Sequence, residues 1–492
     1  MNRLHFFTQL FHHPDAFSVC VVAAVVIVGA AAIYLLSRTE ITLLVLAALV
    51  LQMFSGNWSL MGISIPLDRV ALALALGALV LKGARKVAAR RLVLRGVHLA
   101  LLAAVTWCAI SGLMAGTLTG HDGFYAFLDR FGVVPFLLFC LAPIFFGDER
   151  HRRMLLITLT VIGLYLGLTG CLEGLHLYKL VLPRYIADPN VGIQWGRARG
   201  PILETTGNGF CTFVGAAAAT IGLATWKSRR AIWVCRLTVV LDAGCLFFTL
   251  TRSVWIGAFL GFVGVMLLTS RTRRMLVPLL LGGALVVGAS MAASTTLRNE
   301  VTGRAESQSP VWDRINTDIA ALHIVEQEPL TGVGWQNFEN VSVNYMTEQP
   351  GTPITGEGIE VHNVFLSHAA ELGIPGLLLW LLAFGGAVWR AFFPGRSRQV
   401  REDLAPPSEK ELRLWRAGAL AILLCFVVEA SLAPFSQALP NSLLWTWLGV
   451  CAIPYTSTAR ARVATMTLTR AFTRPRARLA MPAPGEPEPI YL

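Results

Sequence analysis

Apolar runs close to the length that crosses a bilayer recur from one end of this chain to the other, each followed by a polar break. A spanning helix needs about 20 predominantly apolar residues. Runs near that length fill 17–36, 66–81, 97–115, 131–146, 154–171, 205–226, 237–251, 254–269, 275–293, 374–391, 417–432 and 443–454, with a shorter one at 41–54. In hydrocarbon every backbone N–H and C=O must be satisfied internally, so such runs become helices or closed barrels. Barrel strands alternate in polarity over about ten residues, and these runs are continuous instead. Charged residues make up only 14% of the 492, against about 25% in soluble domains. The expectation is an all-α polytopic membrane protein with about 12 transmembrane helices.

The net charge of +12 invites a nucleic-acid reading, but its distribution argues for topology. Basic residues gather at 82–95, 150–153, 227–236, 271–274, 390–416 and 460–478. These clusters fall on every second loop, as the positive-inside rule requires of cytoplasmic loops. The alternation puts 116–130, 173–204, 294–362 and 433–441 on the extracytoplasmic side. Run 17–36 has no small-residue cleavage site and reads as a retained helix. A cytoplasmic N-terminus follows if 41–54 spans imperfectly. The Arg- and Pro-rich 457–492 is expected to be a disordered cytoplasmic tail. The chain thus divides into N-terminal helices (1–293), an extracytoplasmic segment (294–373), C-terminal helices (374–456) and the tail. All nine Cys lie in or beside apolar runs, so 294–362 holds neither a disulfide nor a thiolate zinc site.

The long polar stretch 294–362 has its own grammar. Ser309-Pro310 opens a helix with Ile315, Ile319, Leu322 and Val325 at helical spacing. It stops at Glu328-Pro329, because the residue before Pro avoids the α region. Gly332-Val-Gly334 turns the chain into Trp335-Gln-Asn337-Phe338, and 340–360 reads as a mobile loop. His362-Asn363 begins a second amphipathic helix, expected at the membrane interface. It ends at Glu371-Leu-Gly373, with Gly as C-cap and Pro375 in the first turn of the next span.

The extracytoplasmic loops and span ends carry Arg197, Arg199, Arg252, Arg314 and His362. Taken singly, Arg252 also fits a headgroup-snorkelling residue, Arg314 an i,i+4 partner of Asp318, and His362 an interfacial His. Together they suit a different chemistry. Guanidinium forks grip phosphate oxygens in pairs, and an imidazole can take a proton from a sugar hydroxyl. A diphosphate leaving from a sugar, with a base activating the acceptor, is glycosyl transfer without a metal. Gly332-Val-Gly334 follows a helix rather than a strand, which rejects a dinucleotide loop. His12-His13-Pro-Asp15 is adjacent rather than facing and is set aside as a metal site. Asp242 and Glu429 are ionisable residues inside apolar runs, expected to pair with neighbouring helices.

Three blocks carry a resemblance: Gly332-Val-Gly-Trp-Gln-Asn-Phe338, His362-Asn-Val-Phe-Leu366 and Glu371-Leu-Gly-Ile-Pro-Gly376. In this order, separated by an outer loop, they resemble the signature of the O-antigen ligase and Wzy-type polymerase superfamily. Asp313-Arg314 ahead of Pro329-Leu-Thr-Gly-Val-Gly334, Thr251-Arg252-Ser253, and Arg199-Gly-Pro-Ile-Leu-Glu-Thr-Thr-Gly-Asn208 extend the likeness to about 197–376. The family's Asn-Pro-Asn is replaced here by Glu204-Thr-Thr-Gly-Asn208, which puts that donor contact in doubt, and Thr251 stands for the commoner Ser.

The resemblance implies a GT-C-like helical fold in the bacterial inner membrane, with its site on the extracytoplasmic face. It implies metal-independent transfer or polymerisation of a glycan from undecaprenyl diphosphate onto an acceptor hydroxyl. His362 would be the base, and Arg252 and Arg314 would hold the diphosphate, joined by Arg197 and Arg199. Gly332, Gly334, Asn337, Asn363 and Glu371 would support them. The partners expected are the undecaprenyl-diphosphate-linked glycan, a glycan or lipid-core acceptor and the bilayer. Neither a cofactor, a metal nor nucleic acid is expected. A flippase of lipid-linked glycan, a protein O-oligosaccharyltransferase and an inactive scaffold remain as alternatives. A flippase predicts charged membrane interiors and internal repeats, of which this chain offers only Asp242 and Glu429.

Overall fold

The computed structural model describes residues 40–86, 96–268, 270–293, 295–306, 309–348, 353–394 and 408–453. Run 17–36, the His12-His13-Pro-Asp15 segment and the tail 457–492 lie outside them. Among the described residues all regular structure is helical. Six helices are long and apolar enough to cross a membrane: Gly96–Met114, Asp122–Phe145, Glu149–Gly174, Thr205–Thr225, Arg229–Phe248 and Val364–Phe392. Shorter apolar helices cover Ile41–Phe54, Arg252–Met266 and Leu276–Leu285. The remaining apolar runs fall on Leu67–Lys86, Glu409–Ala430 and Ala438–Cys451. The protein is therefore a polytopic membrane protein.

Its packing follows membrane rules. Large apolar side chains such as Leu102, Val240 and Leu382 point outward, as lipid allows, and small residues line the helix contacts. Gly163, Gly167, Gly170 and Gly174 form one stripe of the Glu149–Gly174 helix. A Cβ on any of them would collide with Gly215, Asp242, Cys245 or Phe248 of the two neighbouring helices. Asp242 faces this stripe with both carboxyl oxygens buried and no hydrogen-bond partner among the described residues, which show none of the expected pairing. Glu429 has a weak partner, accepting from the Cys425 Sγ at 3.3 Å.

The polar segment is more ordered than its composition predicts. Ser309–Gln327 is one helix, ending where Glu328-Pro329 stops it. Its buried face is Asn316, Thr317, Ala320, Ala321 and Ile324, while Ile315 and Leu322 are exposed. The period is right and the phase is rotated, because small residues rather than large ones make the contact with the rest of the protein. Short helical turns at Phe338–Val341 and Ser342–Tyr345 occupy the start of the expected mobile loop.

Asn363 caps the helix Val364–Phe392, its Oδ1 accepting from the N–H of Phe365 (3.0 Å) and Leu366 (3.1 Å). Such a cap contributes about 1 kcal/mol. The helix breaks at Gly373 (φ +69°, ψ 175°), so two helices meet there as expected. The first is not amphipathic, however: Ser367, His368, Ala369, Ala370, Glu371 and Leu372 are all buried. The turn 329–334 covers one side of it, and Trp107 from the Gly96–Met114 helix donates to the Leu372 carbonyl from another.

The break at Gly373 is locked by that turn. Val333 N–H donates to the Ala370 carbonyl (2.9 Å), Gly334 N–H to Glu371 (3.0 Å), and Ile374 N–H to Pro329 (2.8 Å). A Cβ at Gly373 would run into the Leu330 carbonyl. Its φ/ψ pair lies in a region essentially reserved for Gly, where strain costs about 1–3 kcal/mol. Gly373→Ala is therefore expected to lower the melting temperature of the detergent-purified protein. Gly385→Ala, with open space around its Cβ position, is the control and should not. Equal melting of the two variants would overturn this assignment.

Candidate active site

Beside this lock lies a cavity of about 480 Å³, walled by segments far apart in sequence. The loop 193–206 contributes Arg197 and Glu204, and the start of the Arg252–Met266 helix contributes Arg252. The Ser309–Gln327 helix contributes Asp313 and Arg314, and the return strand of chain before Asn363 contributes Glu360 and His362. The turn 432–437 closes the wall. Four of the five residues expected to do chemistry thus share one cavity.

His362 sits one residue before the cap, so the capped helix start holds its backbone. Burial, and then the positive charge of Arg314, push its pKa below the ordinary 6.5. The Glu360 carbonyl and the carboxylates of Asp313 and Glu360 act the other way. The imidazole is therefore neutral at pH 7, the form that accepts a proton. Its Nδ1 is buried without a hydrogen-bond partner among the described residues.

Arg314 is half-buried, and burial followed by the like charge of Arg252 lowers its pKa. Asp318 and Asp313 oppose that shift. A guanidinium starting above 12 stays charged regardless, so the two arginines bring like charges to one cavity. Thr251 Oγ1 lies 2.8 Å from Thr205 Oγ1, tying the start of the Arg252 helix to the start of Thr205–Thr225. The Thr that replaces Ser keeps the hydroxyl that makes this tie.

Arg199 requires a correction. It is fully buried and does not line the cavity. Its guanidinium donates to the carbonyls of Ile186 (3.1 Å), Asp188 (2.6 Å), Val191 and Ile193 (3.4 Å), and stands 4.0 Å from Glu173. Those acceptors leave no fork for a diphosphate. A tight turn closed by Arg199 N–H on the Arg197 carbonyl (2.9 Å) lets the two side chains diverge. Asn208 is also inward, donating to the Ala198 carbonyl at 3.2 Å. Glu204 caps the next helix through Thr206 N–H (2.8 Å) and Gly207 N–H (2.6 Å). Burial raises its pKa.

The supporting residues build the frame and stay off the cavity wall. Gly332 (φ +60°) and Gly334 (φ +98°) make the turn. Asn337 Nδ2 closes it on the Val333 carbonyl at 2.9 Å, and Glu371 takes the N–H groups of Gln336 and Phe338.

One pair was not anticipated. Arg130 is buried and donates to Glu360 Oε1 (2.8 Å) and Ser367 Oγ (3.1 Å), holding the strand of chain that carries His362. Its signal was a charged Asp129-Arg130 at the edge of an apolar run, but the run as read began at 131, one residue too late.

These positions separate two kinds of arginine. Arg199→Gln removes a buried cation from its acceptors and is expected to destabilise the protein by about 3 kcal/mol or more. Arg252→Gln, at an exposed helix start, should change stability by about 0.5 kcal/mol or less while weakening inorganic pyrophosphate binding. Thermal melts and pyrophosphate titrations of both variants check this; a wild-type melt for Arg199→Gln would reject its assignment.

A search of curated proteins finds no match to this chain. Residues 237–381 match the family model described as O-Antigen ligase. The matched span contains Arg252, Arg314, the Gly332–Gly334 turn, His362 and the break at Gly373, and leaves Arg197 and Arg199 outside. This segment, which holds both the lock and most of the charged cavity wall, is the part of the chain that matches the O-antigen ligase family.

Proposed function

We propose that the protein is a metal-independent glycosyltransferase that moves a glycan from undecaprenyl diphosphate onto an acceptor hydroxyl in cell-surface polysaccharide synthesis. The observation that carries this reading is the convergence of Arg197, Arg252, Arg314 and a neutral His362 on one cavity. The acceptor oxygen attacks the anomeric carbon, and His362 takes its proton. The bond from that carbon to the diphosphate oxygen breaks with its electron pair, and polyprenyl diphosphate leaves against the guanidiniums. The cavity also holds carboxylates, but Glu360 is engaged by Arg130 and Glu204 by its helix cap. Asp313 and Glu339 also line the cavity, and Asp313 acts on the charges of both Arg314 and His362; the anion is assigned to the three arginines.

Charge placement supports an extracytoplasmic site in the inner membrane. Helices that start at the cavity, Thr205–Thr225, Arg252–Met266 and Val364–Phe392, run toward Lys227, 271–274 and Arg390. Helices that end there, Arg229–Phe248 and Glu409–Ala430, begin among Arg229, Arg230, Lys410 and Arg413. Basic far ends are cytoplasmic ends by the positive-inside rule. The proposal includes about 12 spans, with 294–373 as the catalytic segment between two helical bundles. A second lipid-linked glycan as acceptor would make the enzyme a polymerase, and a lipid core would make it a ligase.

The test is transfer from radiolabelled lipid-linked glycan by the purified protein in the presence of a chelator. His362→Ala is expected to lower turnover about 10²–10⁴-fold, and Arg314→Ala to impair donor use. Equal product from all three proteins would reject the site. Passage of the lipid-linked glycan across vesicles with no new glycosidic bond would favour a flippase.

The pH profile gives a further prediction. Protonating His362 removes the base, so activity should fall on the acid side with a midpoint below 6.5, the ordinary His value. Arg314 depresses that pKa, so the residual activity of Arg314→Gln should show its acid limb shifted upward. An acid limb above 6.5 in the wild type would contradict the assignment.

A further inference from the structure

A second cavity of about 530 Å³ adjoins the first, and Ser436 and Gln437 line both. We infer that this second cavity seats uncharged sugar residues of the glycan beside the diphosphate site, through Gln52, Trp58, Tyr125 and the Arg69–Asp129 pair. The inference rests on the transfer reading above. Its volume lies within the roughly 300–1,000 Å³ of small-molecule sites.

Guanidiniums set the two cavities apart. The first holds three, beside the carboxylates of Glu204, Asp313, Glu339 and Glu360. In the second the one arginine, Arg69, is paired with Asp129 through both carboxylate oxygens, one of them at 3.3 Å, and its guanidinium lies 4.2 Å over the Tyr125 ring. With Asp122 also on the wall, an anion gains nothing there. A neutral ligand rich in hydroxyls does. Gln52 is only 5% exposed, and its Oε1 is buried with no hydrogen-bond partner among the described residues, an acceptor whose desolvation a donated hydroxyl would offset. Trp58, whose Nε1 donates to Asp68 Oδ1 at 2.8 Å, and Tyr125, with Arg69 over one face of its ring, add aromatic surface, which suits the C–H faces of a pyranose.

The partition between the cavities is built. Asn441 Nδ2 donates to the carbonyls of Phe435 and Gln437, both at 3.1 Å, pinning the turn on which Phe435 adopts φ +54°. A chain whose sugars lie on one side of that turn can present its reacting atom on the other.

The experiment uses the full-length protein in detergent and two probes. One is inorganic pyrophosphate; the other is the lipid-free repeat-unit oligosaccharide hydrolysed from the transfer substrate. Wild type should bind both together. Gln52→Leu should weaken oligosaccharide binding about fivefold, the worth of one neutral hydrogen bond. Ser59→Trp, filling the cavity from an exposed wall position, should weaken it further. Neither should alter pyrophosphate binding, and Arg252→Gln should show the reverse pattern. In the transfer assay Gln52→Leu should raise the KM of the acceptor if the sugars are the acceptor's, or of the donor if they are the donor's. Oligosaccharide binding that ignores both variants, or that pyrophosphate displaces, overturns the inference. Loss of pyrophosphate binding in the wild type instead overturns the transfer reading.

Discussion

The structure around the cavity depends on a backbone-to-backbone lock between the turn 329–334 and the broken helix at 370–374. A helix that ends inside protein leaves carbonyls without partners, and leaving them so would cost about 1–3 kcal/mol each. Here the Val333 and Gly334 N–H groups fill the Ala370 and Glu371 carbonyls, while Ile374 N–H finds Pro329. Only Gly allows the chains this close, since a Cβ at Gly332 would meet Ala370 and Glu371, and one at Gly334 would meet Ala115. The two Gly-bearing motif blocks are thus halves of one object. It joins the end of the Arg314 helix to the helix that His362 precedes, and so constrains the separation between Arg314 and His362.

Behind that lock the charges are arranged in depth. Arg130 is buried against Glu360 and lies 5.8 Å from the Trp335 ring centroid, and Trp335 is itself fully buried. A buried ion pair is a weak source of net stability but a strong constraint on geometry, because removing either partner strands the other. The pair fixes the chain two residues before His362 and engages one carboxylate of the cavity wall. Arg199 does the corresponding work on the opposite wall, gathering the carbonyls of 186–193 so that the adjacent turn delivers Arg197. Each wall therefore has one buried arginine that builds and at least one less buried arginine on the cavity.

Much of this was legible in the residues alone. Every apolar run within the described residues lies on a helix, and local rules marked the ends at Ser309, before Pro329, and at Gly373. Arg252, Arg314 and His362 were grouped by type and side, and they share a cavity. What failed were inferences that depend on which way a side chain points. The Ser309–Gln327 helix shows a helical period on two faces, and only packing selects the one bearing Ala320 and Ala321. Arg197 and Arg199 are indistinguishable by type, and a two-residue turn separates their roles. The glycine stripe facing Asp242 is spread over a run read only for hydropathy, which is blind to size.

The rule that separates the readable from the unreadable is the solvent. Among soluble helices the large apolar side chains mark the buried face, because water surrounds the rest. In a bilayer lipid accepts Leu102, Val240 and Leu382 on the outside as readily as protein does. The buried contacts then fall to Gly163, Gly167 and Gly170. Hydropathy consequently locates the helices and leaves their orientation unspecified. Orientation is restored at the helix ends, where unpaired backbone groups need partners and side chains meet water. There a cap at Asn363, a break at Gly373 and a Thr205–Thr251 hydroxyl pair place each terminus against a specific neighbour. The cavity forms where those termini meet, which is why its residues come from short polar interruptions rather than from the spans that carry them.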